Sequence, residues 1–234
     1  MTATLSGSKL MKIDLIRRVP LFATLTEEEF AALENTFQVK TYRKNQIIFL
    51  EEQTGNYMYI VLAGKVKVTK ATPGGKETIL AIHQPGDFFG EMALLDGKTS
   101  PATVSAMEDC RIATISHNDF QRLLMGNEKV VRQIIQVLCS RLRQVWSQVQ
   151  DLSYSTADDR IRAGILQLSR KHGVQDSRGI IIDLKITHQE LSELVGTSRE
   201  TVTRTLARLQ RRGILQLENR RIILLRPKDL MSTK

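Results

Sequence analysis

Hydrophobic positions along the chain change their spacing twice. From about Val39 to Ser116 they come in short β-like runs cut by Gly55, Gly64, Gly74, Gly75, Gly86 and Gly90. KVKVTK alternates polar and apolar residues strictly, as a half-buried strand does. TVSAMEDCRIATIS closes the series. Many short strands with regular turn signals predict an antiparallel barrel or jelly roll. Ahead of them, VPLFATLTEEEFAALENTF predicts a short helix. Thr26 is its N-cap and Glu29, three residues on, completes a capping box.

Near residue 118 the spacing turns helical and stays so to about 153. Ile135, Leu138, Leu142, Val145, Val149 and Leu152 recur at alternating intervals of three and four. That is an a/d seam over about two and a half heptads. At 1.5 Å per residue it runs roughly 27 Å. The seam is narrow and is flanked by Arg141, Arg143, Gln144 and Gln148. Such a stripe favours a coiled coil between two copies over a helix packed on its own domain. Trp146, the only tryptophan, sits beside it.

After the polar, hinge-like SYSTADD, the helix DRIRAGILQLSRKHG ends at Gly173, with Arg170, Lys171 and His172 in its last turn. A polar loop and a short strand, IIIDLKI, follow. THQELSELVGTSRETVTRTLARLQRRG is the most specific stretch. Thr187 and Glu190 form a second capping box, Gly196 breaks the first helix, Ser198 caps the next and Gly213 ends it. Two helices joined by a short glycine turn are a helix-turn-helix signature. ILQLENRRIILL then reads as a hairpin turning at Glu218, Asn219 and Arg220, the wing of a winged helix. The expected organisation is α+β: a β-roll over 1–117, a long helix over 118–153 and a winged helix-turn-helix over 154–234.

On a helical wheel, Val202, Leu206 and Leu209 of the second helix share one arc, and Arg199, Glu200, Thr203 and Arg204 another. A buried face opposite a face of long polar side chains suits entry into the major groove of double-stranded DNA. Arginine donates two bonds to guanine O6 and N7, and glutamate accepts from cytosine N4. A glutamate between arginines points to base reading rather than to general attraction of phosphate. Helix starts at Thr187 and Ser198 offer backbone N–H groups to phosphates. Two such helices related by a two-fold axis need half-sites about 34 Å apart, and the heptad seam supplies that axis.

Charge agrees with this division. The chain is +9 overall. Residues 155–234 carry 16 basic and 9 acidic side chains, a net +7, so the excess sits in the last third. A basic module beside a near-neutral one suggests a polyanionic partner. The 234 residues allow one large domain or two small ones, and 41% hydrophobic residues are ordinary for a globular chain. No apolar run approaches the roughly 20 residues of a membrane span, and the N-terminus has no signal-type apolar stretch. Location in the cytoplasm and no membrane partner are expected. Two cysteines, Cys110 and Cys139, make neither a disulfide framework nor a ligand set.

The residues resemble the CRP/FNR family of transcription regulators over nearly the whole chain. VPLFATLTEEE, the glycine-punctuated roll through GDFFGEMALLDG, the long helix and KITHQELSELVGTSRETVTRTLARL carry the likeness. The resemblance implies a homodimer with an effector-binding β-roll, a dimerising helix and a C-terminal winged helix that recruits RNA polymerase. KHGVQDSRG stands where members carry a polymerase-contacting loop, without matching residues. Arg199, Glu200 and Arg204 stand at the family's Arg-Glu-x-x-x-Arg positions, and Thr187, Gln189 and Ser198 at its phosphate-contacting ones. Keeping Arg199 implies a TGTGA-like half-site rather than the TTGAT-like one of the oxygen-sensing branch. Thr203 replaces a glycine.

The effector site departs from the family pattern. Cyclic-AMP binders follow Gly-Glu, after a short helix, with Arg-Ser, the arginine pairing the cyclic phosphate. Here Gly90 and Glu91 are kept, but Ser100 and Pro101 stand at the Arg-Ser positions. A neutral hydroxyl replaces a charge-assisted donor and proline removes an N–H. Val145 and Trp146 stand where the long helix should offer a Thr-Ser pair to adenine. Cyclic AMP is therefore not expected. Two readings stay open: an effector that uses the Gly90–Glu91 loop without a phosphate clamp, or a protein active without one. In the second, Trp146 fills the adenine space, and Trp146→Ala then lowers DNA affinity.

No metal and no cofactor are expected. An iron–sulfur cluster needs about four cysteines. Cys110 reads as a buried small hydrophobe. Cys139 lies just off the seam, where a disulfide between subunits is conceivable. His83 and His117 read as surface or turn histidines rather than haem ligands. No Ser/His/Asp grouping, carboxylate pair or Walker loop suggests an enzyme. Alternatives to a regulator independent of cyclic AMP are a cyclic-nucleotide-responsive regulator and a ligand sensor acting by protein contact.

Overall fold

In the computed structural model, residues 15–231 are described except 18, 35, 73 and 155, without the side chains of 34, 123, 148 and 150–154. The chain divides into two compact units, Met1–Leu142 and Arg143–Lys234.

The first unit is an antiparallel β-roll of two four-stranded sheets. One joins β1 (Gln38–Tyr42), β8 (Cys110–Ser116), β3 (Tyr57–Ala63) and β6 (Phe88–Phe89) in that order. The other joins β2 (Ile47–Phe49), β7 (Thr103–Ala106), β4 (Val66–Ala71) and β5 (Glu77–His83). Glycine turns separate these strands because each is short and needs tight reversals. Two apolar clusters fill the roll. Met58, Ile60, Ile115, Phe120 and Leu124 belong to one, with Val130 and Ile134 from the start of the long helix. Val61, Val66, Phe89, Val104 and Ile112 belong to the other, with Cys110. Cys110 is buried as expected. The first helix, Glu27–Glu34, begins with the capping box: Glu29 N–H donates to Thr26 Oγ1 at 3.2 Å, and Thr26 N–H to Glu29 Oε2 at 2.7 Å.

Two expectations about this unit are corrected. The long helix spans Glu128–Tyr154 and does not start near 118. Residues His117–Asp119 and Phe120–Leu124 form separate short helical turns. Asn127 then caps the long helix, its Oδ1 accepting from Lys129 and Val130 N–H at 3.0 and 3.3 Å. His83 is not a surface or turn residue. It ends β5, is 6% exposed, and stacks on Phe89 at 5.6 Å between centroids, interplanar angle 7°. His117 is exposed.

The second unit carries the helix Ala157–His172, the pair His188–Val195 and Arg199–Arg211, and a four-stranded sheet ordered β11 (Leu215–Glu218), β12 (Arg221–Leu224), β10 (Gly179–Ile182), β9 (Gly173–Asp176). The segment read as a polar loop is thus β9 and its turn into β10. Arg178 pairs there with Asp176 and Glu218, each at 2.9 Å. SYSTADD hides a further capping box, Thr156 with Asp159. The wing turns where expected. Asn219 and Arg220 take φ of 49° and 62°, the left-handed pair that suits the twist of a two-residue hairpin.

A candidate DNA-reading surface and a pocket in the β-roll

The helix pair is built by local chemistry. Thr187 and Glu190 close a capping box on the first helix, and Gly196, at φ 65°, ends it in the left-handed region. Ser198 Oγ accepts from Thr201 N–H and starts the second helix. That helix buries Val202, Thr205, Leu206 and Leu209. Arg199, Glu200, Thr203 and Arg204 are all exposed, on the arc the wheel assigned to them. Its own backbone N–H, with the Ser198 hydroxyl and the charges of Arg199 and Arg204, holds the Glu200 carboxyl below its ordinary value. It is therefore an anion that only accepts, the state that cytosine N4 requires.

Thr187, His188, Gln189, Arg199 and Arg220 line one concavity of about 430 Å³. Three residues assigned from sequence, Thr187, Gln189 and Arg199, are therefore brought together, with the wing turn beside them. Ser198, Glu200, Thr203 and Arg204 are not among its lining residues. The Thr203 hydroxyl is engaged within the unit. It donates to the Arg199 carbonyl at 2.9 Å and lies 2.9 Å from His188 Nδ1. Since the hydroxyl spends its single proton on the carbonyl, Nδ1 must be the donor. His188 and Arg220 carried no signal specific enough to single them out as part of this surface.

The recognition helix is anchored from behind. Asp158 accepts from Arg162 Nε at 2.7 Å and from the Thr205 hydroxyl at 2.9 Å, and pairs with Arg208. Thr205 and Arg208 belong to the recognition helix, so one carboxylate ties it to the helix behind.

In the first unit, Gly90 and Ser100 line a pocket of about 310 Å³ with Phe49, Tyr57 and Tyr59. Gly90 has φ 79°, and a Cβ there would lie 2.9 Å from the Tyr59 ring. Glu91 is not among the lining residues. Its side chain is 2% exposed and pairs with Arg141 of the long helix at 2.7 Å. Arg141 also donates to the Phe88 carbonyl and lies over the Phe88 ring. Burial pushes the Glu91 carboxyl above its ordinary value, the Arg141 charge opposing it. Pro101 is exposed and also absent from the lining. Val145 and Trp146 fall in the second unit and are exposed. Sequence reading placed Arg141 only as a flank of the seam. Its partner lies 50 residues away, and no spacing rule reaches that far.

Along the long helix, Ile135, Leu142, Val145 and Val149 are between 49% and 56% exposed. Leu138 is partly buried against the core of the roll. The Leu152 side chain lies outside the described residues. Among the described residues no group of acidic, histidine or cysteine side chains could hold a metal ion, and no helix is long and apolar enough to cross a membrane.

Comparison with known proteins accounts for both units. Residues 39–127 match the cyclic nucleotide-binding domain and residues 159–233 the Crp-like helix-turn-helix domain. The cyclic AMP receptor protein of Thermus thermophilus is 34% identical over 198 residues, 85% of this chain and 88% of that one. A CRP-like cAMP-activated global transcriptional regulator of Mycobacterium tuberculosis is 27% identical over 211 residues, 90% and 94% of the two chains. The structure of FixK2 from Bradyrhizobium japonicum superposes with a TM-score of 0.74 at 26% identity, covering 83% of this chain and 95% of that one. Both domain models match in order along this chain and the relatives match it over most of both lengths, so the chain belongs to the CRP/FNR family of DNA-binding transcription regulators.

Proposed function

We propose that the protein acts as a homodimer reading a two-fold TGTGA-like site, and that it does so without cyclic AMP. The observation that carries the first part is the recognition helix. It buries Val202, Leu206 and Leu209 and leaves Arg199, Glu200 and Arg204 outward. Arg199 and Arg204 suit guanine, and Glu200 suits cytosine. Thr187, Gln189 and Ser198 set the register on phosphates, and Thr203 bears on flanking preference. The half-exposed stripe Ile135, Leu142, Val145 and Val149 supports pairing with a second copy, since water is a poor neighbour for a heptad seam. Leu138 and Leu152 share that register. RNA polymerase is the expected protein partner, and the cytoplasm the place of work.

Gly90, Glu91, Ser100 and Pro101 are the effector-loop positions by resemblance to the family, and Val145 and Trp146 stand in the sequence where the family's long helix carries a Thr-Ser pair. Several relatives are named for cyclic AMP. Here Ser100 and Pro101 argue against it, because a charge-assisted phosphate contact of about 1.5–3 kcal/mol has no donor.

Fluorescence anisotropy tests both parts, using a duplex with TGTGA and its inverted repeat one helical turn apart against a scrambled duplex. Specific binding without nucleotide is expected. Specific binding only with cyclic AMP overturns the reading of Ser100 and Pro101. Equal binding to both duplexes overturns the half-site. A salt titration separates DNA contact from protein docking, because phosphate contacts weaken steeply with log salt.

A further inference from the structure

We propose that the β-roll pocket takes a small uncharged aromatic molecule in place of an anionic nucleotide. This rests on the reading of that pocket as the effector site and names the class of its ligand. The cavity, about 310 Å³, is lined by Phe49, Tyr57, Tyr59, Gln53, Asn56 and Ser100 among others. Its size lies at the small end of ligand sites, which run from about 300 to 1,000 Å³.

The wall is aromatic. The Tyr59 ring lies 5.2 Å from Phe49, tilted by 40°, and 6.4 Å from Tyr57, edge-on at 65°. Phe89 stacks on Tyr59 at 5.2 Å and 6°, which fixes the ring. Tyr57 is 39% exposed, so its ring offers surface to an incoming one. Offset and edge-on ring contacts are the favoured geometries between π systems.

The charges that would greet an anion are missing or spent. Among the described residues, the lining holds no lysine or arginine. Lys40 stands 6.0 Å from the Tyr57 ring centroid and is not part of the lining. The Glu91 carboxylate is buried on Arg141. The Ser100 N–H donates to the Gln53 carbonyl at 2.9 Å and its carbonyl accepts from Glu52 N–H at 2.8 Å. Of the Ser100 groups only the hydroxyl is left to meet a ligand, and Pro101 has no N–H. Burial pushes the Tyr59 phenol up to about 12, so it stays a neutral donor. Desolvating a phosphate or carboxylate against such a wall has no compensating charge. An uncharged ring with one or two polar atoms loses nothing of that kind.

The test is isothermal titration calorimetry on the full chain with matched probes: indole against indole-3-carboxylate, quinoline against quinoline-3-carboxylate, and cyclic AMP. At least one neutral probe is expected to bind, with its carboxylate about tenfold weaker or worse. Tyr57→Ala, at a half-open position, weakens the neutral probe roughly 2- to 13-fold. Ser100→Arg tightens the carboxylate by about tenfold or more. Three results overturn the proposal: failure of both neutral probes to bind up to their solubility limits, tighter binding of an anionic probe to the unaltered protein, or a Tyr57→Ala variant of unchanged affinity. Anisotropy with the duplex above, run beside it, separates the two readings. A neutral probe that binds and leaves DNA affinity unmoved supports the ligand class and overturns the role of the pocket as effector site.

Discussion

Removing the Asp158 carboxylate should loosen the recognition helix more than any surface substitution on it. Asp158 joins Arg162 of its own helix to Thr205 and Arg208 of the recognition helix. Arg162 is 5% exposed, and its other end donates to the Leu230 carbonyl at 2.9 Å. Asp158→Ala therefore takes from a buried guanidinium its carboxylate partner Asp158. Breaking a buried pair by removing one partner costs about 3–5 kcal/mol. The Asp158 side chain is 28% exposed, so water reaches the gap and the low end, about 3 kcal/mol, applies. Hydrogen exchange read by mass spectrometry on peptides from residues 199–211 measures this locally. About 3 kcal/mol corresponds to exchange roughly 150-fold faster. Asp158→Asn keeps one acceptor oxygen and should lose less. Burial pulls the Asp158 carboxyl upward, but bonds from Arg162 and Thr205 and the charges of Arg162 and Arg208 outweigh it, leaving the group below its ordinary value. A lowered folded value means that the contribution is whole above the unfolded value of about 3.9 and fades as pH falls through the folded one. Protection in the unaltered protein should fall toward that of Asp158→Ala in that acid window. Exchange in Asp158→Ala within threefold of the unaltered protein at neutral pH would refute the reasoning.

Three further outcomes are expected. Arg199→Ala should lose about 1–3 kcal/mol of discrimination at one guanine of the half-site, read by anisotropy on single-base variants. An equal loss on every sequence would place Arg199 on phosphate instead. Arg141→Met leaves the Glu91 carboxylate buried without its cation and should destabilise the roll by about 3–5 kcal/mol at neutral pH. Burial already raises the Glu91 carboxyl, so folding favours its protonated form and stability falls as pH rises through the folded value. The loss in urea unfolding should shrink as pH falls, and a loss independent of pH would count against an ionic role. Val149→Asp places a charge on the seam. Size-exclusion chromatography with light scattering should report a monomer, with DNA affinity reduced, and a retained dimer would remove the seam from the interface.

What could be read without coordinates was what is local or periodic. The capping boxes at Thr26 and Thr187 span three residues, and both formed. The inward face Val202, Leu206 and Leu209 follows from a period of 3.6. The wing turn at Asn219 and Arg220 sits between two apolar runs, where a two-residue hairpin needs it. One local signal was passed over: Thr156 and Asp159 cap a helix inside a stretch that looked like a hinge. The misread residues have a different cause. VQD in β9 reads as polar loop because its partners come from β10, whose own neighbour is β12. His83 reads as a turn residue until β6 brings the Phe89 ring against it.

By itself the sequence determined the order of roll, long helix and winged helix-turn-helix, and which arc of the helix Arg199–Arg211 is buried. Each depends on residues close in the chain or on a repeat along one element. Tertiary structure alone decided which charges remain available to a ligand or to DNA. Glu91 is spent on Arg141, 50 residues away, and Asp158 on Thr205 and Arg208, 47 and 50 residues away. A side chain's chemistry is written in its type, but whether that chemistry is free depends on which distant segment is folded against it.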